Sequence, residues 1–303
     1  MYGTPADAVK RLRNGMLLLD PGSDLHTTLA GLAERARAIF VAGLPGTGKS
    51  LLIHQLAQLA HEQGRTVSLL QWDVARPVIE NHATARAYPA HRGVTHGVVR
   101  VAVGRWARIA VAQWAARAAG STALLVGEAP LVGHRLVELV RPLDDAAEPI
   151  LSEPRTRFVV PVPSRELRHH LEAERARRAA QPLHPRERED APPEVLRDLW
   201  RQLAGVATAL GLADAPVAGA PAPYDPVLYS AVYEHVLRRR HVDVLRLDAI
   251  LPAAAMSPYD LGIAVDHLRP RADEAELLLA GAGRDWADPA ALEHALDRWY
   301  VTR

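Results

Sequence analysis

Short apolar runs alternate along this chain with stretches in which apolar positions recur every three or four residues, the two periods of buried strands and one-sided helices. Ile39 to Ala42 is such a run and ends at Gly43. Ser50 to Gln63 follows with Leu51, Leu52, Leu56, Leu59 and Ala60 on one helical face, and Gly64 stops it. Thr66 to Trp72, Ala123 to Val126, Phe158 to Val162 and Val242 to Leu247 read as further strands. Helical patterns intervene, among them Val101 to Ala119 with Trp106, Ile109 and Trp114 on one side. This alternation predicts an α/β fold, a doubly wound and mostly parallel sheet covered on both faces.

The flanks read differently. Residues 1–37, with an apolar run at Met16 to Leu19 and a helical pattern from Asp24 to Arg37, form an N-terminal segment packed on a core of residues 38–250. From Pro258 onward the chain reads as helical with a break at Pro270, so residues 251–303 are expected to form a helical C-terminal extension. Gly211 to Pro223 is a loose Ala/Pro/Gly linker. Glu166 to Asp190 is dense in arginine and glutamate, which suits either a solvated surface helix or a lid over residues 164–190.

Composition narrows the function classes. At 303 residues and 49% hydrophobic, the chain can bury one full-sized core. Its apolar runs fall far short of the roughly 18 residues of a membrane span, and its start lacks a charged-then-apolar signal pattern. A cytoplasmic protein is therefore expected. With no cysteine, disulfides and thiolate zinc sites are excluded. The net charge of +1 gives no sign of a nucleic-acid or membrane binder. Of the 36 basic residues only Lys10 and Lys49 are lysines, so the position of each is informative.

Lys49 falls in Gly43-Leu44-Pro45-Gly46-Thr47-Gly48-Lys49-Ser50, which fits G-x-x-x-x-G-K-[ST] (Walker A) between a predicted strand and a predicted helix. The glycines allow successive N–H groups to point at a phosphate, and the helix that continues through Leu51 adds its positive end. Lys49 would bridge the β- and γ-phosphates of ATP, and the Ser50 hydroxyl would ligate Mg²⁺. The fold expected is thus of the P-loop NTPase type. A guanine-reading Asn/Thr-Lys-x-Asp segment is absent, and the third strand ends in Gly127-Glu128 rather than Asp-Glu, so kinase chemistry fits better than a GTPase or motor ATPase.

Two acids follow the strands. Asp73 ends the second strand, where it would either deprotonate an attacking hydroxyl or cap the next turn. Glu128, after the third strand, would hold the metal or its water, or is an ordinary loop glutamate. These landmarks resemble the P-loop small-molecule kinases that include uridine kinase, phosphoribulokinase and the bacterial pantothenate kinase. The resemblance covers roughly residues 38 to 180 and implies the same order of parts: phosphate loop, aspartate, glutamate, then a strand entering an arginine-bearing lid. The chain departs from that family in reading Asp73-Val-Ala where Asp-x-[FY] is usual and Glu128-Ala129 where Glu-Gly is usual. Asp73-Val-Ala-Arg76 is also similar to the Asp-x-x-Arg of signal-recognition GTPases.

A transferring phosphoryl group needs arginines over it. Arg165, Arg168, Arg175 and Arg178 are placed for this, with Arg168 assigned to the transferring phosphate and Arg175 to the nucleotide. The polar segment after Asp73 suggests an acceptor pocket built from Arg76, His82, Arg86 and Tyr88. The partners expected are a small-molecule phosphate acceptor such as a nucleoside, sugar or vitamin, with a homodimer allowed and neither membrane nor nucleic acid. A nucleotide-dependent switch ATPase and a nucleic-acid end kinase are the competing readings.

Overall fold

A computed structural model describes residues 17–91, 93–189, 191–214, 223–251 and 257–301. Lys10, Arg92 and the greater part of the linker expected at 211–223 lie outside the described residues.

Six strands form one sheet: β1 (Ala38–Ala42), β2 (Val67–Leu70), β3 (Leu124–Ala129), β4 (Thr156–Pro163), β5 (Val242–Leu247) and β6 (Asp266–His267). They run in the order β5-β4-β1-β3-β2-β6 and every pairing is parallel. The short β6 gave no periodic signal in the sequence.

Side-chain alternation along β1 splits the core in two. Ala38, Phe40 and Ala42 face one cluster, where Phe40 stacks on Phe158 with ring centroids 5.1 Å apart. Ile39 and Val41 face the other. Because both faces of a parallel sheet are buried, its strands read as continuous apolar runs, and this is why the sequence showed them clearly.

The second cluster is covered by α1 (Asp24–Arg35) and α2 (Lys49–Glu62). The first is covered by α4 (Gly97–Arg117) and α8 (Pro226–Val236), with α7 (Pro193–Ala209) packed on α8 and α9 (Ala272–Asp285) on α4. Shorter helices are α3 (Trp72–Glu80), α5 (Glu148–Leu151) and α10 (Pro289–Asp297), and α6 (Arg165–Ala180) leaves the end of β4.

Three expectations change. Trp72 opens α3 instead of closing β2. Ile109 is 39% exposed while Trp106 and Trp114 are buried, because the buried arc of α4 excludes it. The described residues of 257–271 are not helical: they cross over α2 and enter β6. His54 and Gln55 fix that crossing. Gln55 donates from Nε2 to His54 Nδ1 at 2.9 Å, so His54 Nε2 donates to Asp260 O at 3.1 Å. Gln55 Oε1 accepts Leu18 N–H at 2.8 Å, tying the N-terminal segment to the same helix. Among the described residues no helix is long and apolar enough to cross a membrane.

Candidate functional site

Since all strands are parallel, their C-terminal ends share one edge. The chain runs from β1 to β2 on one side and then from β3 across β1 to β4 on the other, and at such a reversal of strand order an open α/β sheet parts to form a crevice. A cavity of about 260 Å³ lies there. Its wall takes Gly46 and Gly48 from the loop after β1, Lys49 and Ser50 from the start of α2, Trp72 and Asp73 from the first turn of α3, and Glu128, Pro130 and Arg135 from β3 and its loop. Arg175 and Arg178 come from α6, and Pro258 and Tyr259 from the crossing segment.

The loop from Gly43 to Gly48 needs its glycines. Gly46 has φ +72° and Gly48 φ +86°, conformations that side chains rarely adopt. Gly48 caps α2 with no side-chain hydrogen bond, so the helix keeps its N-terminal N–H groups for a ligand. The loop is held from within and from outside. Lys49 Nζ and Thr47 Oγ1 both donate to Leu44 O at 2.9 Å, and Leu44 N–H donates to Tyr229 Oη at 3.2 Å. Arg168 Nη1 donates to Pro45 O at 2.9 Å.

The two acids are joined through α3. Gln71 supplies no side-chain cap, and Glu128 Oε1 accepts the Trp72 N–H at 2.6 Å instead. A carboxylate at a helix N-terminus is favoured by the free N–H groups and the dipole. This bond fixes Glu128 beside the helix turn that carries Asp73. Burial, then the Asp73 charge, raises the Glu128 carboxyl above the ordinary range. Burial lowers the Lys49 ammonium, and the Glu128 charge opposes that shift.

The loop after β3 is strained. Leu131, His134 and Leu136 have φ of 61°, 59° and 61°, each costing about 1–3 kcal/mol for a side-chain-bearing residue. Leu131 and Arg135 pair back on each other, and Arg100 Nη1 donates to Gly133 O at 2.6 Å. His134 and Glu138, both buried, bond at 2.9 Å behind the loop. The outcome of this bracing is Arg135 at the cavity wall, a residue the sequence did not single out because its backbone geometry has no periodic signature.

The arginines of α6 divide by role. Arg165 pairs with Asp225 at 2.8 Å on the surface. Arg168 is buried beneath the glycine loop, bonded to Glu172 at 2.6 Å, with its guanidinium 5.6 Å from the Tyr224 ring centroid, and does not line the cavity. Arg178 lies between Glu174 at 2.7 Å and Glu187 at 3.0 Å. Hydrogen bonds from Arg177 and then Arg178 hold Glu174 down at about 2. Arg175 lines the cavity. The charge-dense segment is therefore largely an ion-pair lattice, tied to the crossing segment by Arg186, whose guanidinium lies 5.9 Å from the Tyr259 ring centroid.

Of the residues expected in an acceptor pocket, Asp73 lines the cavity and the other four do not. Arg76 pairs with Glu80 on α3. His82 caps the Ala83–Ala87 turn, which carries Arg86 outward. Tyr88 lies 5.3 Å from the His96 ring and close enough to α9 that a Cβ on Gly283 would fall 2.0 Å from its hydroxyl. The segment packs toward the C-terminal helices, which its polar composition did not reveal.

A second, apolar cavity of about 220 Å³ adjoins the first, sharing Gly48, Leu51, Leu171 and Glu174 with it. The rest of its lining is mostly aliphatic, with Leu25, Leu52, Leu167, Leu247 and Ile250 beside His170. Among the described residues no three acidic or histidine side chains converge to hold a metal unaided. The oxygen donors at the main cavity, Ser50, Asp73 and Glu128, are of the type Mg²⁺ takes when substrate phosphates supply other ligands.

The chain matches no protein-family model, and neither curated proteins nor solved structures give a match.

Proposed function

We propose that this protein is an ATP- and magnesium-dependent phosphotransferase that moves the γ-phosphate of ATP to a hydroxyl of a small molecule. The observation that carries the reading is the meeting, in one cavity, of the glycine loop with Lys49 and of two acids beside the strand ends, Asp73 on the first turn of α3 and Glu128 on β3. The strand order and the resemblance of these landmarks to uridine kinase, phosphoribulokinase and bacterial pantothenate kinase support a fold of the P-loop NTPase type.

Each group then has a part. The amides of Gly46 to Ser50 and the Lys49 ammonium hold the β- and γ-phosphates. The adjoining apolar cavity seats the base between α6 and the chain after β5. Ser50 and Glu128 would hold magnesium, which supplies charge neutralisation to the phosphates when bound. Asp73, exposed at the first turn of α3, accepts the proton of the attacking hydroxyl. Arg175 faces the phosphates from α6. Lys49 and Glu128 oppose one another in charge, and a phosphate brought between them restores the ammonium that burial disfavours.

The test is Asp73→Asn assayed for ATP binding and for transfer separately. Transfer should fall by roughly 10²–10⁴ with ATP affinity kept, the size expected of a general base. Unchanged turnover, or parallel loss of ATP binding, would contradict the assignment.

A further inference from the structure

Among the described residues Arg135 has no ion-pair partner, although Asp73 and Glu128 line the same cavity. Its guanidinium is half-buried at the cavity wall, and among the described residues its hydrogen bond is from Nε to Val132 O at 3.0 Å. Among the described residues it has no carboxylate within ion-pairing distance, whereas Arg108, Arg168, Arg178 and Arg240 are buried with acidic partners and Arg65 with four backbone carbonyls. A charge taken out of water without a partner is costly, and the strained loop that presents it adds to the cost. Such an arrangement persists where an anionic ligand completes it.

Position tells which ligand. Under the phosphotransferase reading, on which this inference rests, the base lies toward β5 and the triphosphate ends at Lys49. Arg135 stands beyond that point, on the β3 and β2 side with Trp72, Asp73 and Pro130. Asp73 is the charge that acts most strongly on it, ahead of Glu128. The cation therefore borders the space of the acceptor. A fork of N–H donors there matches the two oxygens of a phosphate ester or a carboxylate.

We infer that the acceptor is an alcohol bearing its own oxyanion, and that Arg135 seats that oxyanion so that the hydroxyl faces Asp73. Neutral nucleosides and sugars would leave Arg135 unpaired in the closed site, so they are rejected by more than a lost contact.

The experiment loads the full-length protein with Mg²⁺ and a non-hydrolysable ATP analogue, then titrates inorganic phosphate in one arm and acetate in the other. Saturable binding of phosphate points to a phosphate ester and of acetate to a carboxylate. In either arm Arg135→Met should weaken it roughly ten- to hundredfold, as expected for a hydrogen-bonded charge pair. Affinity for the analogue should not change, and the unliganded variant should melt higher than wild type because an unpaired charge is gone. Arg135→Lys should recover part of the anion binding. If neither anion binds, if binding ignores Arg135, or if Arg135→Met loses the analogue itself, the inference is wrong and Arg135 serves the nucleotide or the fold. A wild-type protein that fails to bind the analogue overturns the phosphotransferase reading, and this one with it.

Discussion

Tyr229 and Gly43 interlock: a Cβ on Gly43 would lie 2.4 Å from the Tyr229 hydroxyl, the oxygen that accepts the Leu44 N–H. Gly43 also has φ +152°, so a side chain there meets strain as well as a clash. Tyr229 is fully buried on α8, 185 residues along the chain from the Leu44 it braces. Tyr229→Phe leaves a buried N–H without its acceptor, which should cost about 1–3 kcal/mol in urea unfolding and weaken nucleotide binding. Gly43→Ala should be worse in both respects. A Phe variant with wild-type stability and affinity would show that the brace is idle.

Arg168 reads in the sequence as the arginine over the transferring phosphate, yet it holds Pro45 O from outside the cavity. Arg168→Lys should therefore lower stability and raise the Kd for ATP, with kcat at saturating ATP reduced by less than about tenfold. Arg175→Ala, in contrast, should lower kcat by about 10²-fold or more. Steady-state kinetics on the two variants decides between these placements, and the reverse pattern would return Arg168 to the reaction.

The unliganded site is a store of unfavourable charge. Glu128 holds its proton more tightly when folded than when unfolded, so its contribution to stability is present below its ordinary value of 4.5 and is lost as pH rises through the raised native one. Lys49 holds its proton less tightly when folded, so stability returns as pH climbs from its lowered native value toward 10.5. Glu128→Gln in chelator should thus be stabilised relative to wild type at about pH 8 and much less so near pH 5, read as the shift in urea midpoint. A variant that is less stable than wild type at about pH 8 would remove burial as the governing cause.

Gly104 on α4 lets Glu138 reach the helix backbone: an added Cβ would sit 1.7 Å from Glu138 Oε2. Gly104→Ala must displace the buried Glu138 and His134 pair that backs the loop of Arg135. The expected cost is about 1–3 kcal/mol or more, against the gain that Gly→Ala usually brings in a helix. Thermal unfolding checks the sign, and stabilisation would mean that Glu138 moves aside freely.

Parallel strands buried on both faces are legible because nearly every position of β1 and β2 is apolar, and the edge strand Val242–Leu247, which carries Asp243 and Arg246, also falls where its apolar residues placed it. The glycine loop is legible because its backbone admits few residues at Gly46 and Gly48. Asp73 and Glu128 were found through their places after strands, since parallel strands deliver those ends to one edge. What sequence could not supply was direction off the edge. His82, Arg86 and Tyr88 follow Asp73 closely in the chain but turn toward α9, and Arg135 reaches the cavity through a loop whose left-handed residues are Leu131, His134 and Leu136 as well as Gly133. An arginine stripe on α6 likewise does not say which guanidinium faces carboxylates: Arg178 does, twice.

The most direct measurement is ADP release from Mg-ATP by the purified protein, against pooled hydroxyl compounds divided into neutral and anionic sets, with Lys49→Ala as blank. Turnover well above the blank with one pool, most of all an anionic one, is the expected result. ATP that binds but is not turned over with any pool would contradict a small-molecule phosphotransferase.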